Sequence, residues 1–115
     1  MTGTKTKPLI EILTFDGCPN REPAIELVSR VARERGVDAD VQVIDVPDAE
    51  AARRTRFLGS PTIRVDGHDI EPGADVRTDY VLSCRIFRTG SGMSGQPEER
   101  WLLDALARAG GEVTP

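Results

Sequence analysis

No apolar run in this chain approaches the length needed to cross a bilayer, which excludes a membrane-spanning segment. The opening stretch, Met1 to Pro8, is short, polar and Lys-containing, and the apolar residues after it are broken by Glu11 without a small-residue cleavage site. A secretory leader is therefore not expected, and the chain reads as soluble and cytoplasmic, with a flexible N-terminus over 1–7. An excess of basic charge is missing too. The net charge is −4 and only Arg53, Arg54 and Arg56 cluster, which opposes binding to a phosphate backbone and excludes nucleic acid as a partner. Two cysteines are too few for a disulfide scaffold, and in a reducing compartment they rest as thiols unless their chemistry is catalytic. With a single histidine, His68, they do not make the four-ligand set of a structural zinc site, so neither a metal nor a resident cofactor is expected. No Ser/His/Asp set, phosphate-cradling glycine loop or paired-carboxylate constellation stands out.

What is present is the composition of an ordinary globular protein: 115 residues, 38% apolar and 30% charged, with aromatics scarce. That length holds one core and leaves no room for a second domain, and no internal repeat or linker divides it. Leu9 to Phe15 is a nearly continuous apolar run, the pattern of a strand covered on both faces, and it ends at the turn pair Asp16-Gly17. From Asn20 to Arg35 the residues Ala24, Ile25, Val28, Val31 and Ala32 follow helical spacing. Asn20 is placed to cap, Pro23 is tolerable in the first turn, and Gly36 stops the helix. Asp38 to Val46 reads as a second strand, parallel to the first because a helix connects them.

Pro47-Asp48 opens a shorter helix that runs to Leu58 and closes at Gly59. Pro61 to Val65 is a third strand, and Asp66-Gly67 turns the chain back along His68 to Glu71 as an antiparallel fourth. Pro72 to Asp79 reads as a polar loop. Val81 to Arg88 is expected to add an edge strand with Leu82, Cys84 and Ile86 on its inward face and Ser83 and Arg85 on the other. A Gly- and Ser-rich loop over Thr89 to Gly95 precedes a helix started by Pro97, carrying Trp101, Leu102, Ala105, Leu106 and Ala109 and ended by Gly110-Gly111. The fold class is α/β, a parallel β-α-β half joined to an antiparallel hairpin half.

Two motifs carry the candidate chemistry. Cys18-Pro19 sits where the first strand turns into the first helix, so the Cys18 sulfur lies near amide groups that lack intrahelical acceptors. Such dipoles favour a thiolate, the species that attacks disulfides and binds soft metals. The second motif is Gly59-Ser60-Pro61-Thr62, a proline at the entrance to the third strand. Cys84 is the remaining thiol and the internal candidate for a resolving role, although its strand position favours an inward-facing packing residue.

In this arrangement Cys18-Pro19 and Ser60-Pro61-Thr62 resemble the thioredoxin-like superfamily over roughly residues 9–71. Phe15 to Pro19, Gly59 to Thr62 and the late segment Leu82-Ser83-Cys84-Arg85 are further similar to small bacterial thioredoxin/glutaredoxin-like proteins, some labelled as associated with alkylmercury lyases. The resemblance implies a thioredoxin-like domain over 1–115 with a cis bond before Pro61, which would leave the amide and carbonyl of Ser60 free to pair with an extended substrate. It implies a thiol–disulfide redox protein in which Cys18 is the nucleophile, Pro19, Ser60, Pro61 and Thr62 shape the substrate site, and the substrate is a protein or small-molecule thiol or disulfide. Two departures stand out. The second cysteine of a Cys-x-x-Cys pair is replaced by Arg21, whose guanidinium is placed to tune the thiolate, and Gly73-Ala74-Asp75 matches the glutathione-holding pattern of glutaredoxins only in part. The competing reading is a noncatalytic module that holds a partner protein or a soft, mercury-type metal through the same face.

Overall fold

The computed structural model describes residues 7–110, so the N-terminal tail before Lys7 and the Gly111 half of the helix stop lie outside the described residues. The first apolar run forms strand β1 (Leu9–Thr14) in an inner position that explains its continuity. β2 (Asp40–Asp45) pairs with it in parallel, and β3 (Thr62–Val65) pairs on its other side in antiparallel register. With β4 (His68–Asp69) turned back on β3, the result is a mixed four-stranded sheet in the order β2-β1-β3-β4. β2 is therefore an edge, and Val41 and Val43 stay exposed despite their regular alternation.

Helix α1 (Arg21–Arg35) follows the expected span and ends at Gly36 in the left-handed conformation, but Asn20, although at the cap position, makes no side-chain capping bond. Ala24, Val28 and Val31 of α1 meet Ile10, Ile12, Ile63 and Val65 of the sheet and Leu102, Ala105 and Leu106 of α3 (Glu99–Gly110) in one apolar cluster. Each fully buried Ile or Leu there contributes about 1.5–3 kcal/mol relative to exposure, so this layer is the main anchor of α1. The opposite face is covered by α2 (Ala49–Arg54), where Leu13, Val46, Ala51, Ala52 and Phe57 cluster. Asp48 caps α2 by accepting from the Ala51 amide at 2.8 Å. That helix stops at Arg54, short of the expected Leu58, because Arg56 turns left-handed and sends Phe57 and Leu58 into the interior. No helix among the described residues is long and apolar enough to cross a membrane.

The region after residue 80 departs from the sequence reading. The expected edge strand over 81–88 does not form; its pairing with the sheet is a single parallel bridge between Ser60 and Cys84. Its facing is also reversed. Leu82, Cys84 and Ile86 point to solvent, while Arg85 and Phe87 are buried. The physical reason is that two carboxylates inside the molecule hold the Arg85 guanidinium, and that ion-pair network outweighs the apolar alternation. The stretch read as a loop over 89–95 instead folds into a hairpin of β5 (Phe87–Thr89) and β6 (Gly92–Ser94), and α3 begins at Glu99, two residues beyond Pro97.

Candidate functional site

The turn between β1 and α1 is closed by the Cys18 amide donating to the Phe15 carbonyl at 3.2 Å, with Gly17 supplying the positive φ of 90° that Asp16-Gly17 foretold. The Cys18 carbonyl in turn accepts from the Arg21 amide at 3.2 Å, which seats Cys18 directly ahead of the first turn of α1. Its side chain is buried, with 7% exposure, whereas Pro19 beside it is exposed. The Cys18 Sγ lies 3.9 Å from the Ser60 carbonyl oxygen, within reach of a weak S–H donation. Ser60-Pro61 is a cis peptide bond, as the resemblance implied. Residues 18 and 60, forty-two positions apart, thus meet.

Thr62 is fully buried and donates its hydroxyl to the Gly59 carbonyl at 2.6 Å, closing the loop around Pro61. The backbone of Ser60 is not free, contrary to expectation. Its amide donates to the Ser83 carbonyl at 2.8 Å and its carbonyl accepts from the Arg85 amide at 2.9 Å. The chain fills its own pairing edge. Gly59 makes this close approach possible, since a Cβ there would lie 2.9 Å from the Arg85 Cβ and 3.2 Å from the Ser83 carbonyl oxygen. Meanwhile the buried Ser60 Oγ finds no hydrogen-bond partner among the described residues, which leaves one polar atom of this loop uncommitted.

Arg85 fastens this strap. Its guanidinium forks onto Asp69 with contacts of 2.9 and 3.1 Å, reaches Glu71 at 2.6 Å, donates to the Thr62 hydroxyl at 3.0 Å, and stacks 4.5 Å from the centre of the Phe87 ring. A bidentate, charge-assisted geometry of this kind is what makes a buried arginine tolerable. The preceding loop is braced by further carboxylates. The hydrogen bond from the Arg77 guanidinium holds the Asp79 carboxyl below its usual range. Burial raises the Asp75 value, but hydrogen bonds from the Asp69 amide and from His68 outweigh it and leave that carboxyl low as well.

Of the expected site residues, Cys18, Ser60, Pro61, Thr62 and the backbone of Cys84 come together. Cys84 itself is exposed, which corrects the reading of it as an inward packing residue. Arg21 is not brought to the sulfur: its guanidinium pairs with Glu22 and lines an open depression with Thr14, Asp16, Val43 and Asp45. Sequence reasoning missed Arg85, Asp69 and Glu71. The signal was the two acidic residues spaced by two in the expected strand His68–Glu71, which share a face and call for a cation. It also missed Gln96, whose amide donates to the Asn20 carbonyl at 3.0 Å, and Gly95, which packs so closely on the Asn20 side chain that a Cβ there would clash with it.

An open depression of about 740 Å³ between the β3–β4 hairpin and α3 is lined in part by Asp69 and Glu71 but by none of Cys18, Ser60, Pro61, Thr62 and Cys84; it lies at the end of β3 remote from Pro61. No group of three or more His, Cys, Asp or Glu side chains placed to hold a metal occurs among the described residues. Comparison with protein-family models, with curated proteins and with solved structures finds no match to this chain.

Proposed function

We propose that the chain is a thioredoxin-like thiol–disulfide exchange protein in which Cys18 is the attacking thiol. The observation that carries this reading is the seat of Cys18 ahead of α1, with its sulfur 3.9 Å from the carbonyl of Ser60 at the cis Ser60-Pro61 bond. The strand order β2-β1-β3-β4, with β1 and β2 parallel and the β3–β4 hairpin antiparallel, supports the fold that the motifs resemble. Cys18 sits directly ahead of the positive end of the α1 dipole, and a thiolate formed there is the nucleophile of exchange. Of the Ser60-Pro61-Thr62 loop, the Ser60 carbonyl is the group that meets the thiol. Because Ser83 and Arg85 already use the backbone of Ser60, a substrate reaches Cys18 without adding a strand at that edge. This favours low-molecular-weight disulfides over extended peptides.

The test is the reduction of a small-molecule disulfide with a dithiol as terminal reductant. Wild-type protein is expected to exceed an equal concentration of free cysteine, and Cys18→Ser is expected to fall to that background. A Cys18→Ser variant that keeps the wild-type rate, or a wild type no faster than free cysteine, removes the reading and leaves the noncatalytic module in its place.

A further inference from the structure

We infer that Cys84 is the resolving thiol for Cys18, so that the reaction ends in an intramolecular Cys18–Cys84 disulfide; the inference rests on Cys18 being the attacking group. Three observations converge on it. First, the Cys18 sulfur and the amide N–H immediately after Cys84 approach the same atom, the Ser60 carbonyl oxygen, at 3.9 and 2.9 Å. The two cysteines are therefore neighbours across one oxygen, although 66 positions separate them in the chain.

The second observation is the face on which Cys84 lies. Ile63 and Val65 pack with α1, so Thr62 and Arg64, which alternate with them along β3, belong to the face away from α1. Arg85 bonds the Thr62 hydroxyl and Asp69, and Asp69 is the register partner of Arg64. Arg85 is thus held by far-face groups. Successive side chains in an extended segment alternate, which turns Cys84 away from those groups, whereas Cys18 leads into α1, which packs on the other face.

Third, Cys84 is exposed and its backbone is pinned on both sides by the Ser83 carbonyl and the Arg85 amide at Ser60. An exposed thiol is not serving as core filling, and a pinned backbone supplies the placement that loop closure would otherwise have to provide. The bridge to Ser60 holds the Cys84 Cα one strand spacing from the residue that the Cys18 sulfur touches. Disulfide geometry needs Cα atoms within about 7 Å, so the resolving role requires the backbones of Cys18 and Cys84 to come that close beside Ser60.

The chemistry balances without a further reactant. The Cys18 thiolate attacks one sulfur of a substrate disulfide, breaking its S–S bond, forming a mixed disulfide and releasing the first substrate thiolate. The Cys84 thiolate then attacks the Cys18 sulfur, forming the Cys18–Cys84 bond and releasing the second substrate thiolate. The two thiol protons pass to the two leaving groups. The protein dithiol is oxidised by two electrons and the substrate disulfide is reduced by the same two. This role replaces the one that Arg21, in the position of the usual second cysteine, cannot perform.

The experiment treats reduced wild type, Cys84→Ser and Cys18→Ser with one molar equivalent of 5,5′-dithiobis(2-nitrobenzoate), followed by thiolate absorbance and intact-protein mass. Wild type is expected to release both aromatic thiolates and to end two hydrogens lighter with no adduct. Cys84→Ser is expected to release one thiolate and retain a lasting adduct at Cys18. A wild type that keeps its adduct as long as Cys84→Ser does overturns the resolving role while leaving Cys18 as the attacking thiol. A Cys84→Ser protein that takes no adduct at Cys18 overturns both readings, as does a Cys18→Ser variant that releases its first thiolate as fast as wild type, because Cys84 is then the attacking thiol. Because Cys84 is exposed and its serine replacement removes no buried contact, loss of folding does not obscure the comparison.

Discussion

Two segments meet at Ser60, and they are held there by opposite kinds of force. The Phe15–Arg21 turn that presents Cys18 hangs between an inner strand and a helix, both anchored by apolar packing of Ile10, Ile12, Ala24, Val28 and Val31. The strap over 81–85 that presents Cys84 has exposed apolar side chains and is anchored by one buried cation, Arg85, on Asp69 and Glu71. Apolar anchoring is distributed over many residues and survives the loss of any one of them. Ionic anchoring is concentrated: removing the cation leaves the buried Asp69 carboxylate without its ion-pair partner, so the strap behaves as a unit that is either fastened or free.

The sharpest way to break this contrast is Arg85→Ala. It deletes the cation while Asp69 stays buried, and the expected loss of stability is about 3–5 kcal/mol by urea denaturation. The strap should leave Ser60, so a Cys18–Cys84 disulfide should form much more slowly in the same protein. A variant as stable as wild type would show that the ion pairs are not the anchor.

Gly59→Ala attacks the same segment from below. The new methyl would sit 2.9 Å from the Arg85 Cβ on a backbone with φ of 118°, so the strap must shift, at an expected cost of about 1–3 kcal/mol in chemical denaturation. The Phe15–Arg21 turn should be untouched, which makes alkylation of Cys18 a useful control: its accessibility should rise only to the extent that the strap lifts away. Equal stability of the variant and wild type would mean that the close approach is not constrained.

The smallest effect concerns the loop that leads into the strap. The Asp75 carboxyl titrates below its ordinary value of 3.8, so it contributes stability above that pH and loses it as pH falls through the lower folded value. Asp75→Asn is therefore expected to melt slightly earlier than wild type at neutral pH, by less than about 1 kcal/mol for so exposed a pair, and to converge with it below about pH 4. A difference that persists unchanged to pH 3 would assign the effect to the lost geometry rather than to the charge. No comparable acid sensitivity is expected from substitutions in the apolar anchor of Cys18.

The same contrast explains what was legible beforehand. β1, α1 and the β3–β4 hairpin follow from periodicity and from the turn residues Asp16-Gly17, Gly36 and Asp66-Gly67, because their burial is apolar and their punctuation is local. Cys18 and Ser60-Pro61 were readable as candidate site residues for the same reason: each sits at the end of an element whose existence the pattern dictates. Residues 81–95 were not. The alternation of Leu82, Cys84 and Ile86 points to the wrong face, and Thr89 to Gly95 carries loop composition yet supplies half of a hairpin. Nothing local announces that an arginine will be the buried residue, since its burial depends on carboxylates fourteen and sixteen positions away.

By itself, then, the sequence determined the α/β class, the order of the principal elements and the position of Cys18 ahead of a helix, because hydrophobic periodicity and turn chemistry act between near neighbours. Only the tertiary structure decided which thiol is exposed, where Arg21 points and what fills the Ser60 edge. Those outcomes depend on long-range charge pairing and on the space left at Gly59, and neither is encoded in the spacing of residues along the chain.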